Sequence, residues 1–303
     1  MIQSPLNYTG GKYKLLPQIL PLFPKNIDTF VDLFCGGCNV GINISANKVI
    51  YNDINKHLLH LYTTFKNLDK ESIFEWIYQI ISKYELSLVS ENGYDFYGCE
   101  SEKGLSKYNK EKFLKLRLDF NSKKKYDYYY YIMLYVIIVY AFNNQIRFNN
   151  KGEFNLPVGK RDFNKKIANK LSEFIDAIKT QNNFFTCKDF REFDISSLDS
   201  NDFIYLDPPY LITCATYNEQ GGWTEEIEIE FLAFIDKIHK NNIKFALSNV
   251  LRSKGKENTI LIEWINENKD KYKLIRLNHK YSNSNYQTKD KKSISEEVLI
   301  INY

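Results

Sequence analysis

No apolar run in this 303-residue sequence is long enough to cross a bilayer: the longest, Ile132 to Phe142, is about half the ~20 residues a spanning helix needs. The start, "MIQSPLNYTGGKYKLL", lacks a basic head followed by an apolar segment, so no secretory leader is expected. Cysteine is scarce: the five residues are odd in number and scattered, which suits reduced thiols in a reducing compartment. Neither sign of charge dominates. With 41 Lys+Arg against 37 Asp+Glu the formal charge is +4, so any contact with a polyanion has to come from local clusters. No internal repeat is present. These features predict a soluble, cytoplasmic protein without a membrane partner, and they leave its oligomeric state open.

The 44% hydrophobic content supports a core, and the length suits one large α/β domain with an insertion, or two domains. "TFVDLF" (29–34) reads as a strand, "CGGCNVG" as a glycine turn into a helix, and "KVIY" (48–51) as a second strand ending in Asn52 and Asp53. That is the opening of a doubly wound sheet, with an acid near the ~20-residue offset at which such folds place a ribose-binding carboxylate. Helical patterns then run from about Lys56 to Phe142, with the lysine-rich "NSKKKYDYYYY" between helices. In "NQIRFNNKGEFNLPVGKRDFN" the residues Asn149, Asn150, Lys151 and Gly152 supply a turn between two extended runs, which predicts a β-hairpin. A helix over Lys165 to Thr180 follows. Strands return at "NFFTC", "DFIYLD", "IKFALSN", "YKLIRL" and "EEVLIIN", while the polar stretches "SENGYDFYGCESEKG" and "NHKYSNSNYQTKDKKSIS" read as loops. The expected organisation is a sheet domain over 1–55 and 183–303, interrupted by a mostly helical insertion over 56–182.

Cys35 and Cys38 form a C-x-x-C, and with His57 and His60 they could be imagined around zinc. The cysteines, however, flank Gly36 and Gly37 in a tight turn, and the histidines fall in a helical pattern with Leu58, Leu59 and Leu61. No metal is expected. The turn at 35–41 also lacks the G-x-G-x-x-G spacing of nicotinamide-binding folds, so a dinucleotide is not the first choice. A small nucleoside cofactor without a pyrophosphate needs only backbone approach at Gly36 and Gly37 and a carboxylate, Asp53, for its ribose hydroxyls.

"FIYLDPPY" (203–210) places Asp207 at the end of a strand buried on both faces, and two prolines then stiffen the backbone. The corner offers a carboxylate, the Pro208 carbonyl that no ladder uses, and the ring of Tyr210 after Pro209. An exocyclic amino group on a flat base wants two acceptors and a stacking partner. Two such hydrogen bonds would localise the amine lone pair for in-line attack on a methyl sulfonium, a preorganised electrostatic stabilisation. An isolated "DPPY" can also be a mere proline turn.

Taken together, "NYTGGKYKLLPQI", "FVDLFCGG" with "NDIN", "NNQIRFNNKGEFNLPVGKR", "DFIYLDPPYLIT", "SNVLRSKGKENT" and "EVLIINY" resemble the Dam-type DNA adenine methyltransferases, D12 class. The order matches the α arrangement, in which the cofactor motif precedes the recognition insert and "DPPY" follows it. The likeness is greatest to the T-even phage members and covers nearly the whole chain.

The resemblance implies a Rossmann-like α/β fold that uses S-adenosylmethionine, yields S-adenosylhomocysteine, and methylates N6 of an adenine flipped out of double-stranded DNA, within GATC. It implies that Tyr8 packs near the adenosyl group and Lys12 near it or the methionine carboxylate. Asp32 to Gly37, with Phe34, would underlie the methionine part, Asp53 would bind ribose, and Asp207 would be catalytic. Arg147 and Arg161 match base-reading arginines, with Asn143, Gln145 and Pro157 around them; a guanidinium bonded bidentately to guanine is worth ~1–3 kcal/mol of discrimination. Asn7 stands where some members have a lysine that reads a guanine. Methylation of an amine in RNA or on a protein glutamine, or a nucleic-acid-binding module without chemistry, are the alternatives. The setting, solitary, phage or restriction–modification, is left open.

Overall fold

The computed structural model describes residues 1–8, 10–99, 104–213, 222–278 and 295–303. The chain divides into two compact units. One comprises Lys12–Cys35, Ile44–Ile54 and Asn182–Tyr303; the other comprises Met1–Gly11, Gly36–Asn43 and Asn55–Gln181.

The first unit holds the sheet, in the order β3-β2-β1-β4-β5-β8-β7. Its strands are β1 (Thr29–Asp32), β2 (Lys48–Asn52), β3 (Asn183–Thr186), β4 (Phe203–Leu206), β5 (Lys244–Ser253), β6 (Lys256–Glu257), β7 (Lys273–Leu277) and β8 (Glu296–Ile301). β1 to β5 pair in parallel, β8 runs antiparallel between β5 and β7, and β6 pairs with β5. This is a Rossmann-like α/β sheet. Its central strands carry continuous apolar runs because both faces are covered.

The register Phe30↔Phe203, Val31↔Ile204, Asp32↔Tyr205 sorts side chains by face. Val31, Leu33, Ile204 and Leu206 join the core under α8 (Glu225–Lys240) and α9 (Thr259–Glu267), with Phe231, Ile235 and Leu261. Burying each such side chain contributes about 1.5–3 kcal/mol. On the opposite face Phe23 meets Phe203 edge-on at 4.7 Å, just beyond the short helix α1 (Leu16–Ile19).

The second unit is built from α2 (Lys56–Asn67), α3 (Lys70–Lys83), α4 (Val89–Asn92), α5 (Ser106–Ser122), α6 (Tyr128–Tyr140) and α7 (Lys165–Thr180). The longest apolar run of the sequence is the heart of α6, buried from Tyr130 to Tyr140 and packed by α2, α3 and α5. Helix starts lie where a side chain can take an orphan amide. Asn55, Asp69, Asp127 and Asn164 cap α2, α3, α6 and α7, and Thr224 and Asn258 do so for α8 and α9. Among the described residues no helix is long and apolar enough to cross a membrane.

Two expectations are corrected. The glycine turn does not open a helix: 36–43 is a succession of turns ending in a 3-10 stretch, Gly41–Asn43. Its bonds run to residues of the helical unit, which is why it belongs there rather than with the sheet. The Tyr62 hydroxyl donates to the Gly36 carbonyl at 2.8 Å, Gln181 Nε2 to the Gly41 carbonyl at 3.0 Å, and the Ile2 amide to Asn43 Oδ1 at 2.7 Å. The expected hairpin is also not a regular ladder. It has two isolated antiparallel bridges, Ala141↔Val158 and Phe148↔Phe154. Side chains of α5 take the place of a further strand: Asn121 bonds both the carbonyl and the amide of Phe154, and Arg117 Nη1 donates to the Leu156 carbonyl. Of the two expected loops, residues 100–103 and 279–294 lie outside the described residues, and the first three residues of the first, 90–92, belong to the short helix Val89–Asn92.

Candidate active site

In the sheet unit, β1 has β2 on one side and β4 on the other, so the strand order reverses between β1 and β4. At such a switch point the crevice beyond the carboxyl ends of the strands is where open α/β sheets bind ligands. Three acids lie at those ends. Asp32 is the last residue of β1, Asp53 directly follows β2, and Asp207 directly follows β4. Asp32 and Asp53 are buried, while the Asp207 side chain keeps 19% exposure.

Asn52 fixes the geometry next to Asp53. Its amide nitrogen donates to the carbonyls of Leu33 and Lys188, its side-chain oxygen accepts from Thr186 Oγ1 and the Lys188 amide, and its carbonyl accepts from the Cys35 amide. One side chain thus ties the ends of β1, β2 and β3 together.

The corner after β4 is a polar cluster. Lys12 Nζ, in a side chain only 3% exposed, lies 2.9 Å from Asp207 Oδ1 and 3.6 Å from Glu297 Oε1, and 5.0 Å from the centre of the Tyr210 ring. The Tyr210 hydroxyl donates to the same Asp207 oxygen at 2.8 Å. Both partners of Asp207 among the described residues therefore sit on Oδ1, and no described residue donates to the Pro208 carbonyl. Pro209 is exposed, whereas Pro208 is buried. Burial raises the Tyr210 hydroxyl well above its usual pKa, and the charges of Asp207 and Glu297 push the same way. Tyr205, beneath it, is raised too, first by burial and then by Asp207; its hydroxyl pairs with Ser248 Oγ at 2.8 Å.

This corner differs from expectation in two respects. Lys12 engages the acid of "DPPY" directly. Tyr210 is not an open stacking face, because Lys12 covers the ring and the hydroxyl has found a partner in Asp207. Phe34 is likewise turned into the core, in ring contact with Phe190, Trp223 and Phe231.

In the helical unit, Tyr8 lies on the glycine turn: a Cβ added at Gly36 would come within 2.8 Å of the Tyr8 ring, and one at Gly37 within 3.1 Å of Tyr8 Cβ. Gly36 has φ +45, so only glycine holds this turn without strain. Cys35 and Cys38 are buried and form no disulfide, and His57 is stacked on Phe148 at 4.4 Å. No group of three or more metal-ligating side chains occurs among the described residues.

The 143–161 segment is stapled at several points. Asn143 and Asn144 take left-handed conformations, and the Asn7 side chain donates to the Asn143 carbonyl at 2.8 Å. Arg147 is half-buried, with Nε donating to Asn155 Oδ1 at 2.7 Å. Arg161 and Pro157 are exposed and Gln145 is half-buried. Arg161 is flanked by fixed backbone: the Leu105 amide donates to the Lys160 carbonyl, and the Val89 amide to Asp162 Oδ2 at 2.6 Å. Gly159 is required there, since a Cβ would meet the Ala141 carbonyl oxygen at 2.3 Å.

Residues 8–283 match the family model described as D12 class N6 adenine-specific DNA methyltransferase. The chain belongs to this family. Relatives include the type II methyltransferase M.FokI of Planomicrobium okeanokoites, 43% identical over all of this chain and 43% of its own length. The modification methylase StsI of Streptococcus sanguinis is 42% identical, with the same coverage. The DNA adenine methylase of Escherichia coli K12 is 28% identical over 77% of this chain and 74% of its own length. The chain thus spans less than half the length of the first two relatives.

Sequence reasoning missed Glu297, Asn52 and Asn155 as parts of these arrangements. The one signal for Glu297 was a carboxylate inside an otherwise apolar strand, "EEVLII".

Proposed function

We propose that this chain transfers a methyl group from S-adenosylmethionine to N6 of an adenine flipped out of double-stranded DNA. The observation that carries the reading is Asp207 at the switch point, with Lys12 and Tyr210 both on Oδ1, so that its other oxygen and the Pro208 carbonyl form an acceptor pair for an amino group. The family supports the cofactor, and the residues fit it. The acids at the ends of β1, β2 and β4 suit a ribose diol and a cationic sulfonium. When bound, S-adenosylmethionine supplies an electrophilic methyl carbon.

The chain's own contribution is positional. Asp53 accepts from the ribose hydroxyls, held in place through Asn52. Asp207 and the Pro208 carbonyl accept the two N6–H bonds and localise the nitrogen lone pair. The proline pair keeps these acceptors from reorganising during the reaction. Tyr210 leaves Asp207 to lie along the base, and Tyr8 lines the adenosyl side.

The helical unit is the DNA reader in this proposal. Arg147 and Arg161 address guanines, with Asn143, Gln145 and Pro157 beside them. GATC is the target the motifs imply. The relative named DNA adenine methylase is 28% identical, while the relatives at 42–43% are named as type II and modification enzymes. GATC is therefore assayed against duplexes of varied sequence.

The test is methyl transfer to duplex DNA, RNA and protein in parallel, with modified adenines located by sequencing. Labelled N6-methyladenine at one duplex motif, lost in Asp207→Ala, is the expected result. Transfer that survives Asp207→Ala, or that goes only to RNA or protein, overturns the proposal.

A further inference from the structure

The mechanism above leaves unused a buried carboxylate beside Lys12. Glu297 sits on β8, the strand laddered on both sides, to β5 through Val250 and to β7 through Leu277. Its side chain is fully buried, and Oε1 lies 3.6 Å from Lys12 Nζ. The preceding Glu296 points to the other face, where it pairs with Arg252 and Arg276 at 2.9 Å each. Strand alternation thus separates the two acids: Glu296 is a surface partner of arginines, and Glu297 faces the corner.

A buried carboxylate is a poor device for stability. Desolvating it costs several kcal/mol, and an apolar residue of similar volume commonly serves a fold as well. The rest of β8, Val298 to Ile301, is apolar and buried. An acid in that row has work to do at Lys12.

The geometry points to Glu297 as a positioning residue that controls Asp207 through Lys12, an inference that rests on the methyl-transfer reading above. Two acids share one ammonium. With Asp207 as sole counter-ion, Lys12 would draw fully onto it and weaken it as an acceptor of N6–H bonds. Glu297 takes part of that charge and holds Nζ on the Oδ1 side, so the remaining oxygen stays a strong acceptor in fixed orientation. Among the described residues this charge also acts on the buried hydroxyls of Tyr205 and Tyr210, and Asp32 acts on Tyr205 as well.

The test uses the full chain with Glu297→Gln, which keeps shape and removes charge. Rates are normalised to the number of sites that bind S-adenosylmethionine, so that unfolded protein does not count. The wild type is first shown to methylate an adenine duplex: failure there overturns the functional reading and this inference with it, whereas an active wild type matched by the variant overturns the Glu297 inference alone. The expected result is a kcat at least tenfold lower, with KM for S-adenosylmethionine within threefold. The pH–rate profile should move to lower pH, because removing a negative charge makes neighbouring protons easier to lose. Lys12→Met and the double variant K12M/E297Q complete a cycle in which the second substitution adds no further loss. A normalised kcat within twofold of wild type, an unmoved pH profile, or losses that simply multiply in the double variant would overturn the inference.

Discussion

The hydroxyl of Tyr210 and the ammonium of Lys12 converge on one oxygen of Asp207, at 2.8 and 2.9 Å. In the proposed reaction Tyr210 therefore releases this bond to Asp207 before its ring lies along the base.

Removing the hydroxyl but not the ring separates these two roles. Tyr210→Phe should lower kcat by no more than about a hundredfold, since a hydrogen bond to a charged carboxylate contributes ~1.5–3 kcal/mol, whereas Tyr210→Ala should lose far more. Steady-state kinetics on one adenine duplex decides it, and equal losses in the two variants would contradict the stacking role.

Arg147 presents its guanidinium with Nε already taken by Asn155. Asn155→Ala should let the fork swing, reducing discrimination between target and single-base variants by ~1–3 kcal/mol. Nonspecific DNA affinity should change little. Competition binding with matched and mismatched duplexes measures both, and an equal loss on every sequence would assign Arg147 to phosphate contact.

His57 has its pKa lowered to about 4, chiefly by burial and then by the charges of Lys56 and His60. The unfolded chain binds this proton below about 6.5 while the folded chain does not, so stability falls as pH drops from about 6.5 toward 4. His57→Phe preserves the stack on Phe148 without the proton. Its melting temperature should therefore decline less than that of wild type between pH 6.5 and 5; parallel curves would exclude His57 as the source.

Gly36 combines a left-handed backbone with the Tyr8 ring at van der Waals range. Gly36→Ala should destabilise by about 1–3 kcal/mol through strain and displacement of Tyr8. Chemical denaturation measures this, and an unchanged midpoint would show that the turn relaxes freely.

Local patterns carried much of this molecule into its sequence. The β4 run ending at Asp207 and the span of α7 depend on neighbours within a few residues, so periodicity reveals them. The links that failed to show are those set by distant partners. A glycine turn after β1 ordinarily leads into a helix, but here the segment bonds to Tyr62 and Gln181 instead. The 143–161 segment has hairpin residues, yet Asn121 of α5 occupies the place where a longer ladder would have formed. Nothing near Glu297 in the sequence announces Lys12, and nothing near Arg147 shows that Asn155 will pin its Nε.

The pairing of Lys12 with Glu297 also bears on the timing of assembly during synthesis. A nascent chain has Lys12 early and gains its second counter-ion only when β8 has been translated and slotted between β5 and β7. Until that moment Lys12 has, of these two acids, Asp207 alone as its partner in the corner, so the three-residue cluster is completed only once β5 and β7 can receive β8.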